Sequence, residues 1–402
     1  MRVLVADRFE TVGVDGLKDL GCDVVLRPDV TAEQLADTVR EVHPKVLVVR
    51  STRVGEAALG ASPALALVIR AGAGIDTIDV PAASRLGVFV ANCPGKNSIA
   101  VAELIMGLLL ACDRRIPDQT SDLRKGVWQK GEYSRARGLH GRTLGILGLG
   151  QIGREVTRRA QAFGMKVVAW SRNLSLEEAD RLGIGYCATP LDVARLSDAV
   201  SVNVAGTSET RHLIDATFLA ALKPGAYVIN AARGSVVDEE ALARAIKEKG
   251  IRAGLDVYQQ EPGASKGEFH PGIIEVPGVY GTHHVGASTE QAQIAIAHEV
   301  VRIVQAFMNT GSVPHCVNRL ARSAATHVLS VRHQNRPGVL AHVFRVLHEG
   351  EINVEEVENI AYHGAEAAVA RVHISTRPSD GALAKIREGN ANIISVDLTP
   401  IE

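Results

Sequence analysis

Three short stretches carry residue types that together can move a proton and grip a carboxylate. Val228-Ile229-Asn230-Ala231-Ala232-Arg233-Gly234 puts an arginine just past an apolar run, and a planar guanidinium can hold a carboxylate bidentately. Gly254-Leu255-Asp256-Val257-Tyr258-Gln259-Gln260-Glu261-Pro262 puts two carboxylates past another such run. Gly281-Thr282-His283-His284-Val285-Gly286-Ala287-Ser288-Thr289 sets a histidine pair before a small-residue turn. Histidine exchanges a proton near neutral pH, and a glutamate on its other ring nitrogen fixes the tautomer and raises its basicity. Singly these read as a helix-start charge, a loop acid and a polar loop. On successive strand-end loops they read as one set.

A second constellation lies upstream. In Leu144-Gly145-Ile146-Leu147-Gly148-Leu149-Gly150-Gln151-Ile152-Gly153 an apolar strand ends in G-x-G-x-x-G. A helical segment, Gln151 to about Phe163, and a second apolar strand, Lys166–Trp170, follow it. The motif alone also serves ordinary tight turns; in a strand–turn–helix setting it predicts a dinucleotide site on Gly148, Gly150, Gln151, Ile152 and Gly153. Backbone N–H groups at the helix start then face the phosphates. A third cluster, Arg50-Ser51-Thr52-Arg53 and Arg70-Ala71-Gly72-Ala73-Gly74-Ile75-Asp76, follows two further apolar runs. Ligands of open α/β sheets bind beyond the carboxyl ends of strands, so Arg50, Ser51, Arg70 and the adjoining Gly72 are expected to meet an anion.

The elements that must hold these residues read as alternating strands and helices. Residues 1–95 give strands at Val3–Ala6, Cys22–Leu26, Val46–Arg50, Leu67–Arg70 and Val88–Ala91, with helical segments at Asp15–Leu20 and Ala32–Glu41. This alternation predicts a parallel sheet covered by helices. Asn92–Ser98 is a turn-rich break before a long apolar helix, Ile99–Ala111, and reads as a hinge. After a polar stretch with Trp128, Arg135 and Arg137, alternation resumes through Ala199–Val204, Ala226–Asn230 and Ala253–Val257. A long helix, Ser288–Thr310, returns the chain to the first domain, and Val317–Thr326 reads as a linker. Residues 327–402 read strand, helix, strand, strand, helix, strand, the split βαβ pattern of ferredoxin-like modules. The expected division is 1–95 substrate-binding, 96–286 dinucleotide-binding, 287–320 back in the substrate-binding domain, and 327–402 separate.

Composition narrows the class. The 402 residues carry a formal net charge of −1, which argues against a surface built for nucleic acid and leaves any anion to local arginines. Five cysteines without C-x-x-C pairing suggest free thiols in a reducing compartment. No metal site, signal peptide or membrane span is expected, and a cytoplasmic location follows as an expectation.

Taken together, these motifs resemble the D-2-hydroxyacid dehydrogenases, and within them the phosphoglycerate dehydrogenases, over nearly the whole chain. The residues that carry the resemblance are Arg70–Asp76, Asn92-x-Pro94-Gly95-x-Asn97 with Val101-Ala102-Glu103, Gly145–Arg154, Asn230–Gly234 with Val237-Asp238, Asp256 with Glu261-Pro262, and His284–Thr289. The resemblance implies that Arg233 orients a substrate carboxylate, that His284 is the general acid/base and that Glu261 is its partner. It also implies that Ala232 and Asp256 lie at the cofactor, Asp256 on the nicotinamide carboxamide, with Arg50, Ser51 and Arg70 on the substrate's carboxylate or phosphate. The implied reaction is oxidation of the 2-hydroxyl of 3-phospho-D-glycerate. A glyoxylate or hydroxypyruvate reductase, or a non-enzymatic corepressor on the same fold, are the alternatives.

Two positions depart from the family pattern. His283 stands where the family often has proline. Ser171-Arg172 ends the second strand of the dinucleotide unit, where NAD-preferring members carry an acidic residue. NAD is the expected cofactor, with NADP accommodated because no carboxylate repels a 2′-phosphate. Residues 331–340 open a segment resembling the ACT domains, which implies a regulatory module. His333, Asn335 and Asn353 stand where serine-inhibited relatives hold L-serine. The expected fold class is therefore α/β, two Rossmann-like parallel-sheet domains plus a ferredoxin-like βαββαβ domain, in a homodimer or homotetramer.

Overall fold

The computed structural model describes residues 1–262, 267–320 and 323–401. These fall into two compact units, Met1–Asn318 and Arg319–Glu402. The first unit holds two sheets, both parallel throughout. Strands β1 Arg2–Val5, β2 Asp23–Leu26, β3 Val46–Val49, β4 Leu67–Arg70 and β5 Phe89–Asn92 form one, in the order β2-β1-β3-β4-β5. The other comprises β6 Thr143–Leu147, β7 Lys166–Trp170, β8 Gly185–Tyr186, β9 Ala199–Val202, β10 Tyr227–Asn230, β11 Arg252–Leu255 and β12 Val279–Gly281, in the order β12-β11-β10-β9-β6-β7-β8. Every residue of β3, β9 and β10 is buried. Helices cover both faces, so these strands read as mostly apolar rather than alternating, with only Ser201 and Asn230 polar.

Strand order decides where the loops meet. The first sheet reverses direction of growth beside β1 and β3, and the second beside β6 and β9. Such reversal points open a crevice at the carboxyl ends. Asp7, Arg50 and the 71–76 loop stand at the first; the glycine loop and Asn203 stand at the second. Helix Ser98–Arg114 runs between the sheets' sequences and packs into the second.

Helix Glu290–Thr310 packs on the first sheet's side. Its Ile296, Val300, Ile303 and Val304 share a buried cluster with Val3, Leu17 and Val48. Gly16 of helix Thr11–Asp19 lets it approach: a Cβ there would stand 3.0 Å from Val301. Val317 and Asn318 are fastened to β5, the Asn318 Oδ1 accepting the Val90 N–H at 2.9 Å.

The second unit is an antiparallel sheet of β13 His327–Gln334, β14 Val354–Ala361, β15 Ala367–Ile374 and β16 Ile393–Pro400, in the order β14-β15-β13-β16. Helices Val339–Glu349 and Asp380–Glu388 complete the βαββαβ sequence. Along β15 the alternate residues Ala368, Ala370, Val372 and Ile374 are buried against the helices, the period of two that a one-sided sheet demands.

Several short elements had no legible periodicity. β12 is only three residues long, and helix Ile116–Arg124 buries none of its side chains. Without an apolar stripe a helix leaves little trace in sequence.

Candidate active site

Arg233, Glu261 and His284 come from three neighbouring loops, after β10, β11 and β12. The His284 Nδ1 lies 2.7 Å from Glu261 Oε2. The other oxygen, Oε1, accepts the Tyr258 N–H at 2.8 Å, which fixes the carboxylate. His284 itself has φ 54°, left-handed, with its N–H on Asp256 O at 2.8 Å. The Glu261 hydrogen bond raises the His284 pKa from its ordinary 6.5, outweighing burial. Burial pushes the Glu261 carboxyl up, but the bonds from His284 and the Tyr258 N–H outweigh it and leave the group below its ordinary range.

Asp256 is 1% exposed, and its carboxylate accepts the Thr282 hydroxyl at 2.6 Å, the Val285 N–H at 2.9 Å and the Gly286 N–H at 2.9 Å. These three donors let it clamp the 282–286 turn that carries His284. Ser51 is likewise engaged within the chain. Its hydroxyl donates to Asp7 Oδ1 at 2.9 Å, while the N–H groups of Arg50, Ser51 and Thr52 cradle Asp7 Oδ2 at 2.7, 3.1 and 3.0 Å. A carboxylate of the chain already fills that nest.

Arg50, Arg70 and Arg233 form a cationic group. Burial first, then the like charges of Arg233 and Arg50, pull the Arg70 guanidinium below the ordinary arginine range. Arg70 Nε is buried with no hydrogen-bond partner among the described residues. Gly72 makes the room: a Cβ at this position would collide with Arg70 Nη1. An unmet buried donor beside two further cations suits an anionic ligand.

The glycine loop fits a dinucleotide. Gly148 has φ 91°, where a Cβ would stand 2.8 Å from Asn203 O. A Cβ on Gly153 would collide with Gly148 O, so this glycine lets the helix press onto the turn. Gly150 instead faces open space and is the N-cap of helix Gln151–Ala162, with no side chain capping it. Its free N–H groups and empty flank are what a pyrophosphate needs. Gln151 is exposed beside Gly95 of the hinge, and Ile152 packs inward. The Gly148 N–H bonds to Trp170 O at 2.8 Å, bringing half-buried Ser171 and exposed Arg172 next to this loop. Ala232, half-buried, is held through its N–H on Asn230 Oδ1 at 3.0 Å.

The three expected effector residues are not brought together within one module. His333 pairs with Ala368 near one end of β15, whereas Asn353 is bonded to Ser375 past the other, roughly 20 Å along the strand. His333 is also buried, with its Nδ1 2.8 Å from Gln334 O and its Nε2 3.2 Å from Asn359 Oδ1. Exposed Asn335 donates to Ala365 O at 2.9 Å, and exposed Asn353 to Glu355 Oε1 at 2.8 Å.

Residues 106–286 match the family model for the D-isomer specific 2-hydroxyacid dehydrogenase NAD binding domain. A D-3-phosphoglycerate dehydrogenase of Methanocaldococcus jannaschii is 36% identical over 76% of this chain and 58% of its own length. The chain thus spans little more than half of that relative. A hydroxypyruvate reductase of Thermotoga maritima is 40% identical over 68% of this chain and 89% of its own. Among solved structures, an NADPH-dependent glyoxylate/hydroxypyruvate reductase of Sinorhizobium meliloti, complexed with NADP and malonate, superposes with a TM-score of 0.67. It is 31% identical, over 80% of this chain and 99% of that one. With identity of this order across both sheets of the first unit, the chain belongs to the D-2-hydroxyacid dehydrogenase family.

Proposed function

We propose that the protein transfers a hydride between C2 of a D-2-hydroxy acid and a nicotinamide dinucleotide, with 3-phospho-D-glycerate as substrate. In this role it would open a route to L-serine. The observation that carries the reading is the His284–Glu261 pair, together with the Arg50, Arg70 and Arg233 group, whose cations suit an acid that also carries a phosphate. Gly148, Gly150, Gln151, Ile152 and Gly153 would hold the dinucleotide, with Ala232 at its nicotinamide end; when bound it accepts or gives the hydride. His284 takes the hydroxyl proton in oxidation and returns it in reduction, and Glu261 keeps its Nδ1 protonated so that Nε2 does the exchange. Arg233 holds the carboxylate bidentately, and Arg50 and Arg70 receive the distal phosphate. NAD is the expected cofactor. Ser171 and Arg172 carry no negative charge, so NADP is accepted as well.

A reductase of unphosphorylated hydroxypyruvate or glyoxylate is the second reading, favoured by the same Ser171-Arg172 pair and by the name of the Thermotoga relative. Steady-state rates with phosphohydroxypyruvate, hydroxypyruvate and glyoxylate, each with NADH and NADPH, separate the two. We expect the phosphorylated acid to give the highest kcat/KM. His284→Ala should reduce turnover by about 100-fold or more while cofactor affinity stays near wild type. Turnover preserved in that variant would move the acid/base role elsewhere. As to regulation, the reading assigns the second unit to sensing L-serine. Unchanged rates at millimolar serine would remove that assignment.

A further inference from the structure

The loop Ala71–Asp76 touches the Asn92-Cys93 turn at its base and the opposite sheet's arginine at its tip. At the base, Asn92 Nδ2 donates to Ala73 O at 2.6 Å and the Cys93 N–H to Gly72 O at 2.9 Å. At the tip, a single oxygen, Asp76 Oδ2, accepts from Arg233 Nε at 3.0 Å and from Nη2 at 2.7 Å. Between the two lies Gly74, where a Cβ would collide with Arg233 Nη2. On the far side Gly206 does the same service, since a Cβ there would stand 2.8 Å from Arg233 Cγ. The arginine is threaded between two glycines, one from each sheet's loops.

Counting donors shows what is left. A guanidinium has five N–H groups. Nε–H and the neighbouring Nη2–H go to Asp76, and one Nη1–H goes to Ala232 O at 2.7 Å. One hydrogen remains on each Nη, and the one on Nη2 lies on the end-on edge because Asp76 takes the side-on edge. The Nη hydrogens left over are those a carboxylate can take.

We propose that Asp76 is a positioning residue: from the opposite sheet it closes the side-on edge of Arg233, leaves the remaining Nη hydrogens for the carboxylate of a 2-oxo acid, and ties their direction to the Asn92-Cys93 turn through the 71–76 loop. The inference rests on the proposed function in giving Arg233 the substrate. It concerns geometry rather than stability, because Asp76 and Arg233 are 64% and 37% exposed and such pairs add little to folding. A placeholder, an aspartate sitting in the substrate's seat, would have the opposite sign. It would compete, and its removal would lower KM. The placement of Asp76 on the side-on edge, with Nη hydrogens left over, argues for positioning.

The test uses full-length Asp76→Ala, Asp76→Glu, Arg233→Lys and the Asp76→Ala/Arg233→Lys double variant. Steady-state kinetics with the 2-oxo acid at saturating cofactor are read alongside cofactor Kd and thermal midpoint. Asp76→Ala is expected to lose about 10-fold or more in kcat/KM, with KM raised and kcat lowered. Cofactor Kd and midpoint should stay at wild type, and Asp76→Glu should recover part of the loss. Lysine has no side-on edge to hold, so adding Asp76→Ala to Arg233→Lys should cost less than about 2-fold more. A lowered KM in Asp76→Ala, or fully additive losses in the double variant, would overturn the inference. If wild type turns over a 2-oxo acid and Asp76→Ala matches it, this inference alone falls. If wild type turns over none, the proposed function falls and takes this with it.

Discussion

His284 stands in the left-handed region, φ 54°, where a non-glycine residue needs its surroundings to hold it. The holding is done by Asp256, whose main-chain oxygen takes the His284 N–H and whose carboxylate takes the next two. Local backbone strain at such a residue is a mark of functional sites. Glu261 then sets the proton affinity of the ring. Because its hydrogen bond raises the His284 pKa above 6.5, replacing it by a neutral partner must lower that pKa. Glu261→Gln should therefore move the pH–rate profile in the acid direction. Reduction, which needs protonated His284, should fade at lower pH than in wild type, and oxidation, which needs the neutral ring, should switch on at lower pH. Profiles of kcat/KM in both directions check this; a limb that stays put would assign it to another group. The same sign governs stability. The raised pKa contributes stability below the unfolded value that is lost as pH rises through the folded one.

At the level of elements, helix Glu290–Thr310 does more than cover the first sheet. Glu299, 4% exposed, gathers two cations, Lys96 at 3.1 Å and Arg302, with the His315 ring of the returning chain at 3.1 Å. The bond from Arg302 contributes most, and against burial it pulls the carboxyl down to about 2. A depressed carboxylate gives stability that is present above its unfolded value, 4.5, and is lost as pH falls through about 2. Glu299→Gln leaves Lys96 and Arg302 facing a neutral amide and should cost about 2–4 kcal/mol in denaturant unfolding at neutral pH. The wild-type margin over the variant should shrink progressively below pH 4.5. A constant margin would show that packing, not charge, is what the variant lost.

For the whole molecule, each buried cluster lies within one unit. Leu329, Val343, Leu347, Val372 and their neighbours core the second, and none of them joins a cluster of the first. All the proposed catalytic and cofactor groups belong to Met1–Asn318. A chain cut after Asn318 should therefore fold, bind the dinucleotide and turn over substrate within about 3-fold of the full chain, as separable cores allow. Any response to L-serine should vanish with the second unit. A truncated chain that folds but is inactive would show that the second unit contributes to turnover.

The order of strands and helices and the family were legible in the residues because apolar runs, glycine spacing and strand-end charges are local properties. The glycine loop could be read because its spacing is local, although the crowding at Gly148 comes from Asn203 on a distant strand end. What sequence could not give was the use to which each polar group is put. Ser51 and Asp256 have the right types at the right strand ends, and only the fold shows that they also bond to Asp7 and to the 282–286 turn. His333 likewise faces a core, and Asn353 stands at the far end of its sheet. Asp76 appeared only as the end of a glycine-rich loop. A hydrogen bond is a competition among all donors and acceptors within about 3 Å, and that neighbourhood is assembled from residues as far apart as Asp76 and Arg233. The chain alone set which elements form and which residues end them; the tertiary structure decided which of those ends remain free to act.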